Sequence, residues 1–340
     1  MRVETAVRPR HMSNSLIAMF LLSMLAVSVV MGSADIPTQN TDRNQFTIGI
    51  LRGDSVIIPF GEYRDGKWHA QWPTPDGFGG DIENSLADLP DAWFDRNGVL
   101  STTWYYRASS DVATLIKASK KIKVQNHCQE NWAVLCDFPG KPLKAGEHHR
   151  NIGVALDADK WIDNPIEIIN SSEERRRIIS FVRPAFDKSE GIKPTGIGSL
   201  KPYPHYPSNA ERRKARLIIS RLYRNREAID GQRIYYVEAK KEYKNLFFSK
   251  TDPTCNMISF FNGWIVQNKS GGLRLIDSRY ILTDCDMKLA ISTRMLGILP
   301  IGGQIFIITE DHGYEDESYR ILELKGPRIK QVLGVYGGSC

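Results

Sequence analysis

The amino-acid sequence predicts a mainly β fold of antiparallel meanders that form a sandwich, a barrel or a propeller-like unit, with little helix. Short runs of alternating apolar and polar residues, such as Phe46 to Leu51, recur along most of the chain, and this period of two is typical of half-buried strands. Asp65-Gly66 and Asp230-Gly231 each separate two such runs, which predicts tight hairpins. Many short strands joined by such turns indicate an all-β architecture.

The first 34 residues form a predicted signal peptide. Arg2, Arg8 and Arg10 precede an apolar run from Leu16 to Met31, and Gly32-Ser33-Ala34 follows it. Signal peptidase needs small residues at the third and first positions before its cut, so we expect cleavage after Ala34. The run is short for about 30 Å of hydrocarbon, and an uncleaved anchor is the alternative. We therefore expect a periplasmic, envelope-associated or secreted protein with no membrane span in the mature chain.

Composition divides the rest of the chain into three stretches. Residues 35–186 form a β-rich region. Residues 187–208 are dense in Pro, Gly and Ser, which predicts a linker or a long loop. Residues 209–340 form a second β-meander region, which is either a separate domain or one domain with residues 35–186.

Two segments carry the start signals of a helix. Ser171 with Glu174, and Ser208 with Glu211, have the spacing of a capping box, in which each side chain accepts a hydrogen bond from a free backbone amide. Residues typical of strands resume soon after each, so we expect only one or two helical turns at either place.

The five cysteines are used in a pattern that export permits. No Cys-x-x-Cys spacing occurs, which argues against a structural zinc site. In an oxidising compartment we expect Cys255 and Cys285 to close a β-hairpin, and Cys128 and Cys136 to close a small loop. Cys340 is then unpaired. The alternative is that all five thiols are free or buried.

The charge balance does not predict nucleic-acid binding. The chain has 45 Lys and Arg against 39 Asp and Glu. Removing three Arg and one Glu with the leader gives 42 against 38, a net charge of +4, which is small for about 300 residues. Two stretches, Glu211 to Glu227 and Lys117 to Lys123, concentrate basic residues. They favour an acidic envelope polymer as a partner, and solvated strand faces are the alternative.

The segment TEDHGYEDESYRIL, from Thr309 to Leu322, is the densest acidic stretch. Calcium takes six to eight oxygen ligands, and several could come from here, although the spacing matches no EF-hand loop. The candidate calcium ligands are Glu310, Asp311, Glu315, Asp316 and Glu317. Asp284 and Asp286 join them only if the meander brings that turn close. The alternative is a solvated hairpin loop without a metal.

Three segments resemble those of exported bacterial proteins of uncharacterised function. They are VQNHCQENWAVLCDFPG (residues 124–140), HHRNIGVALDAD (residues 148–159) and GYEDESYRILEL (residues 313–324). The resemblance implies a place outside the cytoplasm, and it transfers no activity, fold or site residue.

Motifs of the common enzyme classes are absent from the sequence. It contains no nucleophile elbow, P-loop, dinucleotide fingerprint or HExxH, so nothing indicates hydrolysis by serine, nucleotide binding or a metalloprotease. Trp68 and Trp72 could stack on sugar rings. We therefore expect a non-catalytic extracytoplasmic binding or envelope-associated protein, with glycan as one candidate ligand. The alternative is a secreted glycan-active hydrolase that uses a pair of carboxylates.

Overall fold

In a computed structural model of the protein, the described residues are 45–70, 102–108, 112–126, 129–140, 150–168, 172–192, 206–249 and 252–339. Their strands are β1 (Phe46–Arg52), β2 (Val56–Arg64), β3 (Lys67–Ala70), β4 (Thr103–Tyr106), β5 (Thr114–Asn126), β6 (Gln129–Cys136), β7 (Asn151–Leu156), β8 (Ile166–Glu167), β9 (Ile218–Arg224), β10 (Arg233–Ser249), β11 (Asp252–Gln267), β12 (Leu273–Thr283), β13 (Ser292–Ile301), β14 (Gln304–His312), β15 (Asp316–Lys325) and β16 (Arg328–Ser339). Their helices are α1 (Glu173–Glu190) and α2 (Asn209–Lys214). The predicted signal peptide, Trp72, Cys128 and Cys340 lie outside the described residues.

A closed barrel forms the amino-terminal part of this structure. Its sheet has the order β1-β7-β4-β5-β6-β2-β3, and β1 also pairs with β2, so six strands close on themselves. The β2–β3 hairpin turns at Asp65 and Gly66, both with positive φ (53° and 75°). Two positive φ angles are what a tight turn between twisted strands requires, so the Asp-Gly signal identified this turn correctly.

Two further antiparallel sheets complete the fold. One has five strands in the order β12-β11-β10-β9-β8, and the other is a four-stranded meander, β13-β14-β15-β16. Strand accounts for 61% of the structure and helix for 11%, so the prediction of a mainly β protein with a barrel among its units is confirmed. Contacts join the described residues into one compact unit.

The barrel and the four-stranded sheet share a hydrophobic core. Trp68 is buried there, with its ring centroid 5.7 Å from that of Phe46 and 5.6 Å from that of Phe306. Edge-to-face aromatic packing of this kind stabilises a core. Trp68 therefore fills the core. The sequence had suggested that it could stack on a sugar ring, and this expectation is wrong because the side chain is buried.

Helix α1 is longer than predicted. Its 18 residues begin after Ser172, whose side chain accepts a hydrogen bond from the Arg175 amide, so the cap lies one residue beyond the predicted Ser171. Ile178, Val182 and Phe186 recur every four residues and are buried against the five-stranded sheet. That spacing places them on one helical face, and it outweighs the β preference of Ile and Val. The expectation of one or two turns is wrong here.

The short helix α2 begins at the predicted capping box. The Ser208 side chain accepts from the Glu211 amide, and the Glu211 side chain accepts from the Ser208 amide. Asp187–Glu190, the first residues of the predicted linker, belong to the end of α1, and residues 193–205 lie outside the described residues. Within the described residues, neither helix has the length and apolar character needed to cross a membrane.

A buried charged cluster, called here the Lys241 cluster, fixes the end of α1 to β10. The Lys241 ammonium lies 2.7 Å from Glu190 Oε2, 2.8 Å from Asp187 Oδ1 and 3.2 Å from the Arg212 carbonyl oxygen. The Tyr243 hydroxyl donates to the other oxygen of Glu190. Lys241 and Glu190 are almost fully buried; the ammonium has three acceptors, and each oxygen of Glu190 accepts a hydrogen bond.

The predicted Cys255–Cys285 disulfide is present, with a Cα–Cα distance of 5.1 Å. The β11–β12 ladder ends at Ile258 and Thr283, so Cys255 lies just beyond it in β11 and Cys285 lies in the turn after β12. Cys136, by contrast, is a free buried thiol in the described part of the chain.

The predicted Cys128–Cys136 disulfide is therefore not formed. Cys128 directly precedes Gln129, and β6 runs extended from Gln129 to Cys136. Seven steps of about 3.3 Å separate the ends of such a strand by about 23 Å, whereas bridged cysteines need Cα atoms within about 7 Å.

Candidate functional site

The acidic stretch lies mostly in strands, not in a loop. Strand β14 continues to His312 and β15 begins at Asp316, so only residues 313–315 connect them. The predicted connection from Glu310 to Glu317 is therefore too long. Glu310, Asp311 and Glu317 are buried, whereas Glu315 and Asp316 are exposed.

Strand alternation separates the five predicted calcium ligands. Glu310 and Asp311 are consecutive in β14, so their side chains point to opposite faces. Asp311 accepts a hydrogen bond from the Thr293 hydroxyl at 2.7 Å and forms an ion pair with Arg320. Of the five acids, the structure brings together Glu310 and Glu317, and it adds His312, which the sequence analysis had not included.

We call Glu310, His312 and Glu317 the Glu-His-Glu cluster. His312 and Glu317 are cross-strand partners, and Glu310 lies two residues before His312 on the same face. One ligand atom from each residue lies within 4.8 Å of the other two. His312 Nε2 is 3.0 Å from Glu310 Oε1, and His312 Nδ1 is 3.8 Å from Glu317 Oε2. The Glu-x-His spacing in a strand was the signal that could have identified the set.

Two neighbouring side chains orient the carboxylates of this cluster. Asn151, at the start of β7 in the barrel, donates from Nδ2 to Glu310 Oε1 at 2.7 Å. The buried Tyr319 hydroxyl donates to Glu317 Oε1. Glu310 Oε2 is buried and has no hydrogen-bond partner among the described residues, and Arg294 Nη1 lies 3.7 Å from it. One carboxylate oxygen in a dry environment thus lacks a close donor.

The two carboxylates of the cluster affect the pKa values of His312 and of the neighbouring Tyr319. Burial alone lowers the pKa of His312, but the hydrogen bond with Glu310 and the negative charges of Glu310 and Glu317 outweigh it, so the pKa lies above its ordinary value. Burial, followed by the charges of Glu317 and Glu310, raises the pKa of Tyr319 well above its ordinary value. The negative charges of Glu310 and Glu317 contribute to the rise of both pKa values.

His312 also lines a cleft of about 460 Å³ between the five-stranded sheet, the turn after β12 and the end of β14. Other residues of its lining are Arg221, Glu238, Lys240, Asp286, Met287 and Tyr314. The Cys255–Cys285 disulfide anchors the turn that carries Asp286 and Met287. The Lys288 ammonium lies 5.1 Å from the ring centroid of Tyr314. The meander therefore does bring the Asp286 turn near the acidic stretch.

Glu238 joins the two sheets inside this cleft. It accepts hydrogen bonds from the Tyr236 hydroxyl at 3.1 Å, the Ser292 hydroxyl at 3.0 Å and the Thr293 amide at 2.7 Å. Burial raises its pKa, and the charge of Arg221 with these hydrogen bonds offsets part of the rise. Glu238 thus connects β10 to β13 through hydrogen bonds that occupy its carboxylate. The carboxylate of Asp286, by contrast, is exposed to solvent.

The predicted basic stretches are only partly available to a partner. Arg221 lies 3.8 Å from Glu238, and Arg224 lies 3.0 Å from Glu174, so both are largely neutralised. Lys117 and Lys120 on β5 are exposed.

Comparison with protein-family models, with curated proteins and with solved structures finds no match for this chain.

Proposed function

We propose that the protein is an exported, non-catalytic binding protein whose ligand occupies the cleft at His312 and Tyr314. The observation that carries this is the convergence of opposite charges with an aromatic ring in one open cavity of ligand size. Arg221 and Lys240 supply positive charge, Asp286 supplies an exposed carboxylate, and Tyr314 is half exposed. Small-molecule sites are concave and occupy about 300–1,000 Å³.

A sugar unit of a glycan fits this lining best. A sugar ring offers an apolar face to an aromatic side chain and hydroxyls that both donate and accept hydrogen bonds. Tyr314 supplies the aromatic face, and Asp286 and Arg221 supply an exposed acceptor and a partly exposed donor. This assignment replaces the tryptophans with Tyr314 as the stacking residue.

The test is calorimetric titration of the purified mature protein with a panel of monosaccharides and short oligosaccharides. We expect at least one sugar to bind, and Tyr314→Ala to weaken it by at least tenfold. Ile192→Ala, which removes an apolar side chain of similar exposure outside the cleft, should leave the affinity unchanged. Absence of binding across the panel, or equal affinity in Tyr314→Ala, would contradict the proposal.

Export is the second part of the proposal. The basic start, apolar run and small-residue cleavage site support it, and so does the Cys255–Cys285 disulfide, since disulfides persist in oxidising compartments. Amino-terminal sequencing of protein recovered from the envelope or the medium should begin at Asp35. Recovery of intact protein in the cytosol would contradict export.

A glycan hydrolase is the second candidate, because two carboxylates line the same cleft. Glu238 has a raised pKa and Asp286 is exposed, and glycosidases pair a protonated with an ionised carboxyl group. Release of new reducing ends from a bound glycan, lost in both Glu238→Gln and Asp286→Asn, would favour hydrolysis. Unchanged glycan after long incubation would favour binding alone.

A further inference from the structure

We propose that the Glu-His-Glu cluster binds a divalent transition-metal cation, with zinc as the first candidate. Its protein ligands would be one carboxylate oxygen each from Glu310 and Glu317 and one imidazole nitrogen from His312. This inference does not rest on the sugar ligand, although His312 belongs to both the cluster and the lining of the cleft.

The ligand types select the class of metal. Calcium takes six to eight oxygens, and this cluster offers two carboxylates and an imidazole. Imidazole nitrogen with carboxylate oxygen suits zinc and its neighbours in the first transition row. Three protein ligands leave a coordination position for water or for a molecule in the cleft.

The distances agree with a shared ion. Two ligand atoms that each lie about 2.1 Å from a zinc ion at a tetrahedral angle are about 3.4 Å apart. His312 Nε2 and Glu310 Oε1 are 3.0 Å apart, and a ligand atom from each of the three residues falls within 4.8 Å of the others. Small rotations of side chains would therefore bring all three to one ion.

An independent observation points to a missing cation. Glu310 is 3% exposed, and its Oε2 has no hydrogen-bond partner among the described residues. A buried carboxylate oxygen without a donor is costly, whereas buried charges that are paired or bound to metal are tolerated. Arg294 Nη1 lies 3.7 Å from this oxygen, beyond hydrogen-bond distance. A bound cation would give it a close partner.

Surrounding residues already hold the ligands as second-layer partners of a metal site do. Asn151 donates to Glu310, and Tyr319 donates to Glu317. Such outer hydrogen bonds fix the orientation of metal ligands before the ion arrives. His312 is about one-third exposed and lines the cleft, so an ion has a path from solvent to the cluster.

The experiment starts with mature protein freed of metal by a chelator. Titration with zinc should show one site and a melting temperature higher by several degrees, because an ion that binds only the folded state stabilises it. Manganese should bind more weakly, and calcium should give no more shift than matched salt. Glu317→Gln and His312→Gln should each weaken zinc binding by at least thirtyfold.

Two matched controls come from the same chain. Asp316→Asn removes the exposed acid beside Glu317, and His69→Ala removes a half-buried histidine of the barrel; both should bind zinc as wild type does. Circular dichroism of each variant checks that it is folded. Wild-type protein with cobalt gives a readout without any variant, since a site with four ligands absorbs visible light more strongly than aqueous cobalt.

The outcomes separate the hypotheses. Zinc binding that is lost with Glu317 or His312 and kept in Asp316→Asn supports the cluster. Failure of wild type to bind zinc or to intensify the cobalt spectrum overturns it, as does unchanged binding in His312→Gln. A calcium-specific shift that disappears in Asp316→Asn would overturn it in favour of the five acids first predicted. Glu317 does not belong to the lining of the cleft, so sugar binding by Glu317→Gln tests the sugar site apart from the metal site.

Discussion

The Lys241 cluster and the Glu-His-Glu cluster are both buried groups of opposite charges, yet they differ in how their hydrogen bonds are filled. In the Lys241 cluster, three acceptors surround one ammonium, and both oxygens of Glu190 accept a hydrogen bond. In the Glu-His-Glu cluster, two carboxylates share one imidazole, and Glu310 Oε2 has no donor among the described residues.

The difference separates a structural ion pair from a site with capacity for a ligand. Lys241 and Glu190 link α1 to β10, and although both line a cavity of about 360 Å³, each of their charged atoms already has a close partner. In the Glu-His-Glu cluster one buried carboxylate oxygen has no donor among the described residues, and the histidine reaches a cleft. Matching donors with acceptors, more than burial, distinguishes the two.

The largest expected effect is on the structural pair. Lys241→Met leaves Glu190 buried without a counterion, which should reduce the free energy of unfolding by about 3–5 kcal/mol. Urea unfolding of the mature protein measures it. Lys330→Met, which changes an exposed lysine on β16, should stay within about 0.5 kcal/mol of wild type. A loss below about 1 kcal/mol in Lys241→Met would mean that the two clusters do not differ as described.

Asp163 is a buried carboxylate whose donors are backbone amides, so it lies between Glu190, which has a charged donor, and Glu310 Oε2, which has no donor among the described residues. It is buried, and it accepts from the Arg226 amide at 2.7 Å and the Glu227 amide at 3.4 Å. Burial raises its pKa to about 6, although both hydrogen bonds oppose the rise. The two amide donors therefore do not offset the effect of burial on the pKa of Asp163.

The expected pH dependence follows from the sign of that shift. The pKa of Asp163 is higher in the folded than in the unfolded protein, so protonation of Asp163 adds to the free energy of unfolding. This contribution is fully present below about pH 4 and is lost as the pH rises through about 6. Between pH 7 and pH 4, wild type should gain about 2–3 kcal/mol of unfolding free energy relative to Asp163→Asn. Asp159→Asn, at an exposed position, should run parallel to wild type. Parallel profiles for Asp163→Asn would contradict the prediction.

The smallest effect is expected in the Glu-His-Glu cluster without metal. Glu317→Gln keeps an oxygen that accepts from Tyr319 and removes a negative charge near Glu310. Unfolding free energy in the presence of chelator should therefore change by less than about 1 kcal/mol. Glu190→Gln, measured in parallel, should lose clearly more. A loss in Glu317→Gln as large as that in Lys241→Met would make Glu317 a structural counterion and not a ligand.

Local features of the fold were predictable from the sequence. The turns at Asp65-Gly66 and Asp230-Gly231 depend on backbone angles that the dipeptide itself favours. The Cys255–Cys285 disulfide follows from pairing of neighbouring strands. Closure of the barrel through β1 and β7 was not predictable, because it depends on contacts between distant parts of the chain that no local pattern encodes.

The candidate site was predicted only in part for the same reason. Glu310 and Glu317 were predicted as ligands, but the acidic residues were assigned to a loop, although β14 continues to His312. The alternation of side chains along a strand was therefore not used to separate Asp311 from Glu310 and Glu317. Extending the strand to His312 would have placed Glu310 and His312 on one face. Asn151, which precedes Glu310 by 159 residues, could not have been identified from the sequence.

The shared core of the barrel and the four-stranded sheet determines when this chain can fold. Phe46 and Ile48 from the first strand pack in the same core as Leu333 and Val335 from the last. The barrel also cannot close until β7 meets β1. Contacts over such separations form late and slowly. Native packing must therefore wait until β16 has been synthesised, and removal of β16 should leave the amino-terminal barrel without one side of its core.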